Sequence, residues 1–170
     1  MPQPSREALR SETAVQCVIE ILIDSQEGLV TVGERLQDHT LKRYFLAESL
    51  KRAEYIDQLG TALRQRGVSR FRERGSAAAV FHRTWARLKS RFVSGDHTLL
   101  VTAEQGEEAV TEIYSKAMET YLPTAIRQIL TAQAAHIQSV HAHVKAARDR
   151  VASAGKVARN VVPARDAIPR

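Results

Sequence analysis

Residues 122–151 read LPTAIRQILTAQAAHIQSVHAHVKAARDRV. Within them Ile126, Leu130, Gln133, Ile137, Val140, Val144, Ala147 and Val151 follow at steps of three and four. Those steps bring side chains to one side of an α-helix, whereas a strand needs alternation. Pro123 stands where a first-turn proline opens a helix. A helix of this kind gains most of its stability by burying its stripe. Partners with the same period are therefore required elsewhere in the chain.

Three are present. Val18, Leu22, Ser25, Leu29, Val32 and Leu36 form one stripe; Leu46, Ser49, Ala53, Ile56, Gly60 and Leu63 a second; Leu99, Ala103, Gly106, Val110, Ile113 and Ala117 a third. Gly67 closes the second segment, and Asp96, after Gly95, is the expected N-cap of the third. The connections at Gln37–Thr40 and Tyr121–Thr124 are short, which makes each flanking pair an antiparallel hairpin. The middle connection is long. It carries Phe81, Trp85, Leu88 and Phe92 on one helical side and Arg83, Arg87 and Arg91 on another. A shift of 81 residues lays the first stripe on the third, a weak internal repeat. The expectation is an all-α, ferritin-like four-helix bundle: two antiparallel hairpins over residues 1–152, joined by a crossover connector helix at about 76–93. Residues 153–170, with Gly155, Pro163 and Pro169, read as a flexible basic tail.

Composition agrees with one helical domain. The chain has 170 residues, of which 44% are hydrophobic and 26% charged, with 8 Gly and 5 Pro. That is too few turn-formers for a sandwich of many short strands. The single cysteine, Cys17, excludes an internal disulfide and a Cys-rich metal site, and reads as a small core residue. No apolar run has the roughly 18 residues of a membrane span, and the first residues lack the apolar stretch of a signal peptide. The expected location is the cytoplasm. The formal net charge is +6, unevenly spread. Residues 64–92 alone hold nine basic groups against one acidic: Arg64, Arg66, Arg70, Arg72, Arg74, Arg83, Arg87, Lys89 and Arg91 against Glu73.

Beyond composition, a series of residues recurs in order and spacing. It runs through Asp24 with Gly28, Leu41-Lys42 with Phe45, Arg52-Ala53-Glu54-Tyr55 with Leu59, and Gly67. The connector adds His82-Arg83, Trp85 and Leu88-Lys89, and then Gly95-Asp96 follows. Glu104, Gly106-Glu107, Tyr114, Leu122-Pro123, Leu130, Gln133, Ile137, His141 and Arg148-Asp149 complete it. In these the chain, from about Val18 to Asp149, resembles the bacterial ferritin-like four-helix-bundle proteins that carry a domain of unknown function. The resemblance implies the fold and supplies no activity.

A ferritin-like bundle raises the question of a di-metal site, built from a Glu on each of two helices and Glu-x-x-His on the other two. No Glu in this chain is followed three residues later by His. Helix four has Gln133-Ala-Ala-His136, an amide in place of the anion, and helix two has Lys51-Arg-Ala-Glu54, a cation in place of a ligand. Glu20, Glu27 and Glu34 fall opposite the stripe of helix one and read as solvent-face charges. Glu107 and His141 flank apolar neighbours instead, at levels that bring them together across the second hairpin. Asp24 faces the level of Arg52–Ala53. Charges at a seam must be paired to offset desolvation. Asp24, Arg52, Glu104, Glu107, Gln133 and His141 are therefore expected to make buried polar contacts, with Tyr114 or a backbone group as the partner of Gln133. No catalytic residues, no metal ligands and no cofactor are assigned, and no phosphate loop or nucleophile motif occurs.

The functional expectation is a non-catalytic bundle of unknown function, with a stress-associated or protein-interaction role. The first rival is a degenerate iron- or manganese-binding or redox relative of the di-iron proteins. The second is weak binding of anionic surfaces or nucleic acid through Arg64–Arg91; the connector's aromatic side is needed for packing, so nucleic acid is not the expected partner. Helix one has a further apolar row, Ile19, Ile23 and Val30, away from its main stripe. It marks a second contact surface, covered by the connector or used for a homodimer.

Overall fold

In the computed structural model, residues 5–68 and 95–161 are described. They form four helices: α1 Arg6–Arg35, α2 His39–Gln65, α3 Asp96–Met118 and α4 Thr124–Val161. No strand occurs among the described residues. The connector expected at 76–93, with Arg70, Arg72, Arg74, Arg83, Arg87 and Arg91, lies outside them. No helix of the described chain is long and apolar enough to cross a membrane.

Local chemistry sets the helix ends. The Ser5 hydroxyl accepts from Ala8 N–H at 3.1 Å and opens α1. Asp38 caps α2, its carboxylate accepting from Thr40 and Leu41 N–H at 2.8 and 2.9 Å. Gly67, at φ +83°, ends α2 in the left-handed conformation. At α3 the cap residue is Gly95, with no side-chain cap bond, and Asp96 is the first helical residue. The Asp96 carboxylate instead reaches across the bundle and accepts from Gln37 and Asp38 N–H at 2.9 and 3.1 Å. A local cap was expected there; the exposed amides of the α1–α2 turn take the carboxylate because α3 begins beside them.

That bond fixes the topology. The end of α1, the start of α2 and the start of α3 lie together, so α2 and α3 run the same way and α1 and α4 run against them. α1 packs on α2 and on α3, α3 on α4, and α2 more lightly on α4. α2 and α3 occupy opposite corners. α4 continues as a helix past residue 152 to Val161, where a tail had been expected from 153. The alanines at 152, 154 and 158 favour helix strongly enough to carry it beyond its packed part.

The stripes of α1, α3 and α4 enter the core essentially as their spacing predicts. α2 is turned relative to its predicted stripe. Leu41, Phe45, Ser49, Arg52, Tyr55, Leu59, Gly60 and Leu63 are buried, so Ser49, Gly60 and Leu63 of the expected stripe face inward, while Leu46, Ala53 and Ile56 are half-exposed. Fully buried side chains such as Leu22, Phe45, Leu59, Val110 and Ile137 each contribute about 1.5–3 kcal/mol by leaving water. α1 and α2 approach closely at Gly33. A Cβ there would lie 3.1 Å from Leu46 Cγ and 3.3 Å from the Lys42 carbonyl oxygen. The leucine can shift but the carbonyl cannot. Gly33→Ala is expected to lower stability by about 1–2 kcal/mol despite alanine's better helix propensity, read as a lower urea midpoint.

Candidate functional site

The polar centre of the bundle is built from all four helices. On α2, Arg52 stands on the buried side between Phe45 and Ser49 before it and Tyr55 after it, and its side chain is 0% exposed. Its Nη2 donates to Glu107 Oε2 on α3 at 2.6 Å, and Glu107 is also 0% exposed. Its Nε donates to Ser25 Oγ on α1 at 3.3 Å. Glu48, one turn back on α2, holds Oε2 at 3.9 Å from Arg52 Nη1. The same oxygen meets His136 Nε2 on α4 at 2.9 Å. Small residues at this level, Ser25, Ser49 and Gly106, leave the room in which a long guanidinium crosses from one corner to the other.

The charges act on one another. Burial pushes the Glu107 carboxyl above its ordinary range and Glu48 adds to the rise, while the Arg52 charge and hydrogen bond, and His141, pull it back; the net direction is up. Burial likewise raises Tyr44, helped by Glu48 and Glu107. The Tyr44 ring packs on His143, with centroids 4.2 Å apart. Arg52 Nη1 and Glu107 Oε1 make no hydrogen bond among the described residues.

A second buried layer sits one turn further along the core. Tyr114 O–H donates to Gln133 Oε1 at 2.8 Å, and Gln133 Nε2 donates to Gln58 Oε1 at 2.9 Å and to the Tyr55 carbonyl at 3.5 Å. Towards the other end, Arg148 on α4 donates to Glu104 on α3 and also holds Asp149 at 2.7 Å.

Of the residues singled out by sequence, Arg52 and Glu107 come together directly, Gln133 takes Tyr114, and Glu104 takes Arg148. Asp24 is buried on α1. His141 is half-buried and lies close enough to act on Glu107, but that carboxylate's hydrogen bond comes from Arg52. The pairing expected within the second hairpin is thus replaced by one across opposite corners. Glu20 is half-buried rather than on the solvent face; Glu27 and Glu34 are exposed. Sequence reading placed Ser25 in the stripe of α1 and weighed His136 only as a ligand position, without their polar partners, and it missed Glu48. The signal for Glu48 was its place four residues before Arg52, on the same side of α2.

Of the basic patch, Arg64 and Arg66 are described and exposed. Arg64 lies 3.7 Å from Asp57 and donates to Thr61 at 2.7 Å. Among the described residues, no group of three or more His, Cys, Asp or Glu is placed to hold a metal ion.

No curated protein matches the sequence. The family described as Domain of unknown function (DUF2383) matches residues 11–120, which take in α2, α3 and nearly all of α1 and stop short of α4. That match spans well over half of the chain, and the protein belongs to this family of unknown function.

Proposed function

We propose that this protein is a non-catalytic, ferritin-like bundle with a stress-associated or protein-interaction role in the bacterial cytoplasm. The observation that carries the first part is Arg52. In a di-metal bundle the inward carboxylates and histidines of the four helices converge on cations. Here the inward position at mid-bundle is filled by a guanidinium that is itself a permanent cation, hydrogen-bonded to the buried Glu107. A dication beside it would be repelled, and Glu48 is engaged by His136 and Arg52. The donor set therefore does not fit an iron or manganese pair. The two-sided helical topology, with α2 and α3 parallel at opposite corners, supports the ferritin-like assignment.

Several large apolar side chains stand in the open, Leu50 and Tyr121 most of all, and they suit a role in association. The homodimer expected through α1 uses Ile19, Ile23 and Val30. Ile19 is 6% exposed and Ile23 39%. Both line a groove between α1 and α2, so a dimer there requires that groove to be free in the monomer.

Metal analysis of protein purified without an affinity tag tests the reading. The expected result is far less than one equivalent of iron, manganese or zinc, unchanged in Glu107→Ala. A stoichiometric metal lost in Glu107→Ala or His141→Ala would overturn it in favour of the degenerate metal protein.

A further inference from the structure

α2 packs on α4 more lightly than the other neighbouring helices pack on each other. Polar and aromatic side chains tie this seam. The Tyr44 ring lies on His143, Glu48 Oε2 meets His136 Nε2 at 2.9 Å, and Gln133 Nε2 donates to Gln58 Oε1 at 2.9 Å. The middle tie stands beside the buried Arg52, whose Nη1 is 3.9 Å from the same Glu48 oxygen.

A charge count at this level is instructive. Arg52 is a permanent cation between two carboxylates, Glu107 on α3 and Glu48 on its own helix. Ionised, they outnumber it by one. The three side chains are 0%, 0% and 12% exposed, where an unbalanced charge is costly. The surrounding groups are engaged elsewhere. On α2, Lys51 holds Glu54 at 2.6 Å, and Tyr55 turns its ring edge to His136. On α4, His141 acts on Glu107 and His143 is stacked on Tyr44. α1 brings the neutral Ser25 hydroxyl to Arg52, and Asp24 beside it in sequence is buried. His136 is the group placed to supply the missing positive charge. It touches Glu48, its side chain is 37% exposed, and an imidazole changes charge near neutral pH.

Glu48 also has a second place to go. Arg52 Nη1 is fully buried and makes no hydrogen bond among the described residues. Its distance from Glu48 is about 1 Å beyond hydrogen-bonding range. Glu48 stands four residues before Arg52 on α2, the spacing at which helix side chains meet. We propose that Glu48 is a two-position carboxylate that responds to the protonation of His136. With the proton on the imidazole, Glu48 ties α2 to α4 through His136. When the proton leaves to solvent from the exposed ring, Glu48 turns onto Arg52 Nη1 and the α2–α4 seam loses its middle tie. The bundle then has a proton-operated release at its most lightly packed seam, with Arg52 as the alternative partner that makes both positions available.

Crystal structures of the full chain at about pH 5.5 and about pH 8.5, on either side of imidazole titration, read the two positions directly. The Glu48–His136 contact is expected at the acid pH, and a Glu48–Arg52 Nη1 distance closed to about 2.9 Å at the alkaline one. His136→Ala, at a partly exposed position, should show the alkaline arrangement at both. A double-mutant cycle of Glu48→Gln and His136→Ala, by urea unfolding, gives the answer in solution. Its coupling should be about tenfold in the folding constant at the acid pH and about threefold or less at the alkaline pH. Glu48 resting on His136 in both crystals of the wild type overturns the proposal. So does a coupling that is the same at both pH values, since the balancing proton would then lie on another group, such as Glu107.

Discussion

Arg52→Ala is expected to cost about 3–5 kcal/mol of stability at neutral pH, the loss that follows when one partner of a buried ion pair is removed. Among the described residues the guanidinium is the only hydrogen-bond donor on the Glu107 carboxylate, and both groups are fully buried. Without it, an unpaired carboxylate remains in the core. That carboxylate has one escape, which is to take up a proton. Its pKa is already raised above the ordinary 4.5 by burial, and Arg52 is the largest influence holding it down. In the variant it rises further. From pH 4.5 up to that raised value, the folded chain binds a proton that the unfolded chain does not. Stability of Arg52→Ala therefore falls as pH increases through this window. The deficit relative to wild type should be smallest near pH 4.5 and reach its full size above the raised value. Urea unfolding at a series of pH values measures it. A deficit independent of pH would mean that Glu107 is not the group left exposed to the loss.

Phe45→Ala carries the second large effect, about 3–5 kcal/mol, whereas Leu46→Ala should cost clearly less. Phe45 is fully buried and Leu46 only partly so. The contrast tests the orientation of α2, the point at which sequence and structure part. Apolar and small residues at steps of three and four place Leu46, Ala53 and Ile56 inside, with Arg52 expected only as a paired charge at the seam beside them. The structure turns α2 the other way, so that Phe45, Tyr55 and Leu59 enter the core and bring Arg52 with them. Equal losses for the two variants, measured by urea unfolding, would contradict that orientation.

The other helices were legible because their stripes contain no such exception. Val18 to Leu36 on α1 and Ile126 to Ala147 on α4 are buried as their spacing requires. Gln133 was legible too, as an amide placed within an apolar stripe. What spacing does not carry is distance across the bundle. Arg52 and Glu107 are recognisable one at a time, as charges among apolar neighbours, but their contact depends on α2 and α3 standing at opposite corners with small residues between them. Glu48 and His136 escaped for the same reason: their meeting is a property of the α2–α4 seam and not of either helix. Asp96 resembles a local cap in sequence, and only the arrival of the α1–α2 turn beside it redirects its carboxylate.

The buried pair as scaffold rather than working group is tested most directly by the stability of the double variant Arg52→Met, Glu107→Leu set against its two single variants. Replacing both members of a buried ion pair by apolar groups of similar size is often neutral, whereas losing one is not. The predicted result is a double variant within about 1 kcal/mol of the wild type, with unchanged helicity, although each single change costs about 3–5 kcal/mol. A double variant that loses the sum of the two single costs would contradict the account, because Arg52 and Glu107 would then be acting on separate partners.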